Sequence, residues 1–299
     1  MYKKGEKFLK ENSPFEKRIL LINGEEGLKN IGLENNLYDP GMEGFSSDDV
    51  EDIFKDCGED TYNTLVGKVE SLAINTRITE DIKDELCLFM AAMLVRTPHF
   101  KSQIEDIDSN LSKHHTSKRF ELMSAGEIVG LAKKEAGEEI SLEQAEKIKK
   151  NIVEKRYNLK YPNGYFLKTA LTELEPIAEI LRRMNLTILK SDSRYFVTSD
   201  NPVVYFVPKE KVDFYNSPKS LLSPHTEVFF SLTKNLGVTL NRRKECEERI
   251  TSSTRQMVDI FNYNLTHNSF NFIFSPLEMK SLEKFVKEYI PYPFNFKIN

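Results

Sequence analysis

Apolar residues recur along this chain with two different periods, and the change from one to the other divides it. From about Ser47 to Met184 they return every third or fourth residue, the spacing of helices with a buried face. Val50, Ile53, Phe54 and Cys57 form one such face, and Ile82, Leu86, Phe89, Met90, Met93 and Leu94 a broader stripe that predicts a helix buried among others. That helix should stop near Thr97-Pro98, because the residue before a proline disfavours helical backbone. Ser141 followed by Gln144 is a capping box, and the Glu143, Glu146, Lys147, Lys149 and Lys150 behind it mark a solvated helix face.

After Met184 the runs become short and β-rich. Leu186–Leu189, Tyr195–Thr198, Val203–Val207, Glu227–Leu232, Gly237–Leu240 and Phe270–Phe274 predict an antiparallel sheet. Ser275, Pro276 and Glu278 then supply an N-cap, a first-turn proline and a capping acid for a last helix with Leu282, Phe285, Val286 and Ile290 on one face. The tail alternates Ile290, Tyr292, Phe294, Phe296 and Ile298, which in an extended arm all point the same way. At the other end, residues 17–23 read as a strand and Asn23-Gly24 as a turn, predicting a hairpin. The expected fold class is α+β: an N-terminal β-hairpin or arm over 1–44, a helical lobe over 45–185, and an antiparallel β lobe with a terminal helix and extended tail over 186–299.

Composition narrows the setting. With 39% hydrophobic and 29% charged residues the chain suits a globular protein, and 299 residues suffice for a sizeable core. A net charge of -4 argues against direct nucleic-acid binding as the main activity, since phosphate affinity needs clustered positive charge. Cys57, Cys87 and Cys246 are odd in number and widely spaced, so neither a disulfide framework nor a thiolate metal site is expected. The basic N-terminus has no apolar signal core behind it, and no stretch is long and apolar enough for a membrane span. A cytoplasmic location follows as the expectation. The 20 Phe and 12 Tyr without any Trp, beside many Lys, Asn and Ile, fit an AT-rich coding sequence of a low-GC bacterium or its phage.

Catalytic patterns are sparse. Neither glycine-rich phosphate loop occurs, no HExxH pairs any of the five histidines, and no metal or cofactor is expected. His114-His115, beside Lys113, Lys118 and Arg119, reads as a basic, solvated helix end. Glu278-Met279-Lys280 matches the ExK of metal-dependent nucleases, but in the first turns of the last helix. Ser199-Asp200-Asn201 copies the SDN element of penicillin-recognising enzymes, but the SxxK matches (Ser231 to Lys234, Ser281 to Lys284) follow it, the reverse of the order that chemistry needs. The one acid–imidazole pairing to test is Asp200 with His225, the basis of an alternative reading as a metal-dependent or acid-base hydrolase or nuclease.

The most distinctive string is Phe196-Val197-Thr198-Ser199-Asp200-Asn201-Pro202-Val203-Val204, a strand that passes through a polar turn into another strand. It resembles the TSDNPV signature of the domain-of-unknown-function family 4238 of bacteria and phages. Asn36-Leu37-Tyr38, Arg96-Thr97-Pro98, Leu222-Ser223-Pro224 and Ile273-Phe274-Ser275 fall in that family's order. The His-His-Tyr-Val-Pro opening common in the family has no counterpart here, nor does the aromatic, often Trp, ahead of the signature. A scaffold retained for binding fits that pattern.

In length, Phe/Tyr-rich composition and layout the chain also resembles phage-encoded anti-defence proteins that inhibit the Gabija system. That resemblance implies a non-enzymatic homo-oligomer that binds a bacterial defence nuclease complex in the host cytoplasm and blocks its action on DNA. Aromatics are favoured interface anchors, which makes Tyr195, Phe196, Tyr205, Phe206, Tyr292, Phe294 and Phe296 the expected contact residues.

Overall fold

Hydroxyl side chains set the starts of most of the described helices. Thr79, Thr97, Ser124, Ser141 and Thr254 each take extended backbone and accept a hydrogen bond from the amide three residues on, satisfying a donor that the first helical turn leaves open. At Ser124 and Ser141 the acid or amide of Glu127 and Gln144 closes a full capping box. The structure is a computed structural model and describes residues 18–19, 47–56, 60–212, 220–243, 248–269 and 272–276.

The helices are α1 (Ser47–Phe54), α2 (Asp60–Ser71), α3 (Glu80–Val95), α4 (Pro98–Leu122), α5 (Ala125–Leu131), α6 (Leu142–Val153), α7 (Asn163–Arg182) and α8 (Arg255–His267). The strands are β1 (Arg18–Ile19), β2 (Asn185–Lys190), β3 (Thr198–Ser199), β4 (Val203–Phe206), β5 (Glu227–Ser231), β6 (Leu236–Asn241), β7 (Ile250–Ser252) and β8 (Phe272–Phe274). The fold is α+β. Five strands form the main sheet in the order β4-β5-β6-β2-β7, and a smaller sheet runs β1-β8-β3.

Period-two alternation divides the main sheet's side chains between two cores. Leu186, Ile188, Val203, Val228, Phe230, Leu236, Val238 and Leu240 join the large core with α3, its close neighbour α7, and α1 and α2. Leu189, Val204 and Phe229 point the other way, into a second core with Phe196, Val197, Val258, Phe261, Leu265 and Ile273. The sheet is thus a middle layer, with most helices on one face and α8 and the signature segment on the other. A third cluster, Phe120, Ile128 and Ala145, joins α4, α5 and α6.

Three sequence expectations need correction. The sheet is mixed: β4, β5, β6 and β2 are antiparallel, but β7 lies parallel to β2, with Ile188 beside Ile250. After β6 the chain passes β2 and adds at the sheet's far edge, a long-range choice that no local pattern encodes. The Tyr195–Thr198 run pairs only from Thr198, because the amide of Val197 and the carbonyl of Tyr195 bond the Asn262 side chain instead of a strand. Helix α8 occupies a segment for which no element was expected. Its Asn-rich composition hid the Val258, Phe261 and Leu265 face and the Thr254 cap.

The predicted strand at residues 17–23 is described at β1, which pairs in parallel with β8. The rest of the N-terminal hairpin, the helix after Pro276 and the aromatic tail lie outside the described residues. No described helix is long and apolar enough to cross a membrane.

The helical and sheet layers are joined at the outer edge of β7. Asn75 donates its amide to the Ile250 carbonyl at 2.7 Å, Ile250 returns one to Thr76 at 3.0 Å, and Ile78 bonds Glu248 at 3.0 Å. The α2–α3 loop therefore completes a strand edge that would otherwise stand open. Beside it, Lys83 of α3 and Glu248 form a largely buried ion pair at 2.6 Å.

Candidate functional site

Serine and asparagine chemistry fixes the signature turn. The Ser199 hydroxyl donates to the Asn201 carbonyl at 2.7 Å and accepts from the Asn201 amide at 3.2 Å, so a single side chain closes the bend. Asn201 is buried and its Nδ2 donates to the Asn268 carbonyl at 3.0 Å, tying the turn to the end of α8. Upstream, Asn262 of α8 accepts from the Val197 amide at 3.0 Å and donates to the Tyr195 carbonyl at 2.9 Å. The Phe196 amide donates to the Lys234 carbonyl at 2.9 Å, and the Ser231 hydroxyl donates to the Val197 carbonyl at 2.5 Å. These bonds satisfy backbone groups that a buried segment outside a ladder would leave orphaned.

The signature borders a cleft of about 620 Å³, within the size range of small-molecule and peptide-anchor sites. Tyr62, Phe89, Phe196, Phe230 and Phe274 supply aromatic wall, and Arg96 and Lys234 are the charged groups among its described lining residues. Each cation is seated beside a ring: the Arg96 guanidinium lies 5.7 Å from the Phe54 centroid and the Lys234 ammonium 5.6 Å from that of Tyr195. The Tyr62 hydroxyl donates to the Leu232 carbonyl at 2.6 Å, joining α2 to the β5–β6 turn. Burial, with the nearby Glu70 carboxylate, raises its pKa, so this wall stays a neutral donor.

Family-signature pieces far apart in sequence meet at this cleft: Arg96 of Arg96-Thr97-Pro98, Thr198 and Pro202 of the TSDNPV string, and Phe274 and Ser275 of the Ile273-Phe274-Ser275 piece. Reading Thr97-Pro98 only as a helix stop missed this. Thr97 ends one helix and caps the next, and Arg96 sits at that junction because the chain must turn there.

The expected contact residues separate. Phe196 is buried against Phe261, with ring centroids 4.7 Å apart, and its ring edge reaches the cleft. Tyr195 backs Lys234. Tyr205 is packed on the large core with its hydroxyl bonded to Gln103, and burial raises its pKa. Phe206 stacks on Phe229 at 5.7 Å, on the second core. Tyr292, Phe294 and Phe296 lie outside the described residues.

Asp200 and His225 are not brought together. Val203 pairs with Phe230 and Phe206 with Glu227, so Asp200 precedes one end of the β4–β5 ladder while His225 precedes the other. The ladder alone separates those ends by roughly 10 Å at about 3.3 Å per residue. His225 is exposed, and its amide bonds the Ser223 hydroxyl at 3.2 Å. Among the described residues no group of three or more His, Cys, Asp or Glu is placed to hold a metal ion.

Residues 15–276 match the family described as Protein of unknown function (DUF4238). No curated protein and no solved structure matches the chain.

Proposed function

We propose, for a chain that belongs to the DUF4238 family, a non-enzymatic binding function in which the cleft beside the TSDNPV turn receives an acidic, aromatic-bearing segment of a partner protein. The observation that carries this reading is the pairing of Arg96 and Lys234, each backed by a ring, in an aromatic-walled cleft with no carboxylate among its described lining residues. Such a lining attracts carboxylates electrostatically and offers ring faces and apolar wall to the residues beside them. The buried bonds of the turn hold the wall in place before a ligand arrives, which reduces the ordering cost of binding.

In its more specific form the partner is a bacterial anti-phage defence complex of the Gabija type, and the outcome is steric inhibition of its action on DNA. The overall resemblance in length, aromatic content and layout supports that form, and it requires no cofactor. The test is tagged capture from bacteria carrying candidate defence systems, identified by mass spectrometry, with wild type beside Arg96→Glu/Lys234→Glu. The expected result is a stoichiometric partner lost by the double variant. Equal capture by both would remove the cleft as the contact site, and no partner from any such host would end the inhibitor reading.

A further inference from the structure

The hydroxyl groups along the cleft divide by what each can still bond. Tyr62 Oη gives its hydrogen to the Leu232 carbonyl at 2.6 Å, and Ser231 Oγ gives its own to the Val197 carbonyl at 2.5 Å. A carbonyl oxygen can only accept, so both hydroxyls have their hydrogen committed and offer a ligand lone pairs alone. Thr233 is the reverse. Its Oγ1 accepts from the amides of Asn235 and Leu236, each at 3.2 Å, which leaves its hydrogen to donate. Lys234, the next residue, and Arg96 also line the cleft, and their charged groups donate and accept nothing.

Burial places the two kinds of group at different depths. Phe89 and Phe230, 6% and 3% exposed, meet edge to face with centroids 5.8 Å apart, and the Tyr62 ring lies 5.4 Å from Phe89, so the inner wall is a continuous ring surface. Ser231 follows Phe230 directly and is half-buried, while Lys234 is exposed. The two accepting oxygens therefore belong to the aromatic wall, and Thr233 and Lys234 to the β5–β6 turn at its outer end. A ligand that matches both needs a flat apolar body with a hydrogen to give at one end and a negative charge at the other.

We infer that the segment taken by the cleft is anchored by a tyrosine with an acidic residue beside it. The inference rests on the reading of the cleft as a site for an acidic, aromatic-bearing segment, and it adds which aromatic is selected. The phenol O–H of the ligand donates to Tyr62 Oη or Ser231 Oγ, and its ring lies against Phe89 and Phe230. The neighbouring carboxylate accepts from Thr233, Lys234 and Arg96. Phenylalanine fills the same space but covers the accepting oxygens without bonding them, which is the basis on which a polar site rejects an analogue that lacks a hydroxyl.

Ligand-observed NMR on the full chain tests it. The probes are acetylated and amidated Gly-Asp-Tyr-Asp-Gly, its counterpart with Phe for Tyr, and its counterpart with Asn for both Asp, each titrated into the millimolar range. The Tyr peptide should bind about threefold to tenfold more tightly than the Phe peptide, the worth of one net hydrogen bond. Tyr62→Phe and Ser231→Ala each remove one accepting oxygen, and the one that serves the phenol should bring that ratio toward unity. Lys234→Glu, an exposed change, should weaken both acidic peptides and leave their ratio in place. Melting curves establish that the variants are folded, and Tyr62→Phe, which deletes a single oxygen, carries the test if Ser231→Ala is not. A Phe peptide that binds as well as the Tyr peptide would overturn the inference and leave the reading of the cleft standing, as would a ratio unchanged in every folded acceptor variant. If neither acidic peptide binds, if the Asn-flanked peptide binds equally well, or if Lys234→Glu changes nothing, the reading of the cleft fails and the inference falls with it.

Discussion

The ring of Phe196 lies directly over Gly237: a Cβ built on that glycine would stand 2.7 Å from Phe196 Cε1 and 3.0 Å from the Phe261 ring. The signature segment can therefore lie on the main sheet only because β6 has no side chain at that point. Gly237→Ala should destabilise the protein by about 1–3 kcal/mol, the usual cost of overpacking a filled core. Denaturant unfolding checks the value, and Phe196→Leu in the same chain should recover part of the loss.

Asn262 has a comparable role through hydrogen bonds. Asn262→Ala removes its bonds to the Tyr195 carbonyl and the Val197 amide, leaving both groups of a half-buried segment unsatisfied. The expected cost is about 1–3 kcal/mol for each group that water cannot reach. Hydrogen exchange should show the Val197 amide losing protection in this variant while amides of the β2–β6 ladder keep theirs.

Lys83 and Glu248 give a test of the joint between layers. Lys83→Met alone strands a largely buried carboxylate and should cost about 3–5 kcal/mol. Lys83→Met combined with Glu248→Leu removes both charges and should return most of that stability. Thermal melts of the two single variants and the double variant separate this from a simple loss of packing.

Burial pushes the Cys87 thiol from 9.0 up to about 12, with Lys83 and Arg182 pulling weakly the other way. The folded protein therefore holds the neutral thiol at a pH where the unfolded chain ionises it. The resulting stabilisation is complete below pH 9.0 and is lost as pH rises from there toward about 12. In a Cys57→Ser/Cys246→Ser background, Cys87 should resist alkylation at pH 8 at a rate set by unfolding, and Cys87→Ala should flatten that alkaline loss of stability.

Where the fold was legible, local chemistry was enough to decide it. The Ser141 capping box, the Thr97-Pro98 break and the broad stripe of α3 each depend on neighbours within a few residues, and each appears in the structure. What sequence alone did not reveal depends on distant partners. β7 is a strand because β2 and residues 75–78 flank it, and α8 is a helix because its Val258, Phe261 and Leu265 face has the sheet's second core to fill. The site divides in the same way. Its signature turn stood out as a string, but Arg96 and Lys234, separated by more than a hundred positions, become partners only when α3 and the β5–β6 turn meet.

The α2–α3 loop that seals the β7 edge is made long before the strand it covers. During vectorial synthesis on a ribosome, Asn75, Thr76 and Ile78 emerge ahead of the whole main sheet, and Ile250 arrives with the last of that sheet's strands. The receiving edge for the final strand is thus presented by already translated chain, and β7 can dock as soon as it appears. A circular permutant that moves residues 47–80 behind the sheet would reverse that order. It would leave the outer edge of β7 open to a neighbouring chain until that loop arrived, turning a folding step into an opportunity for aggregation.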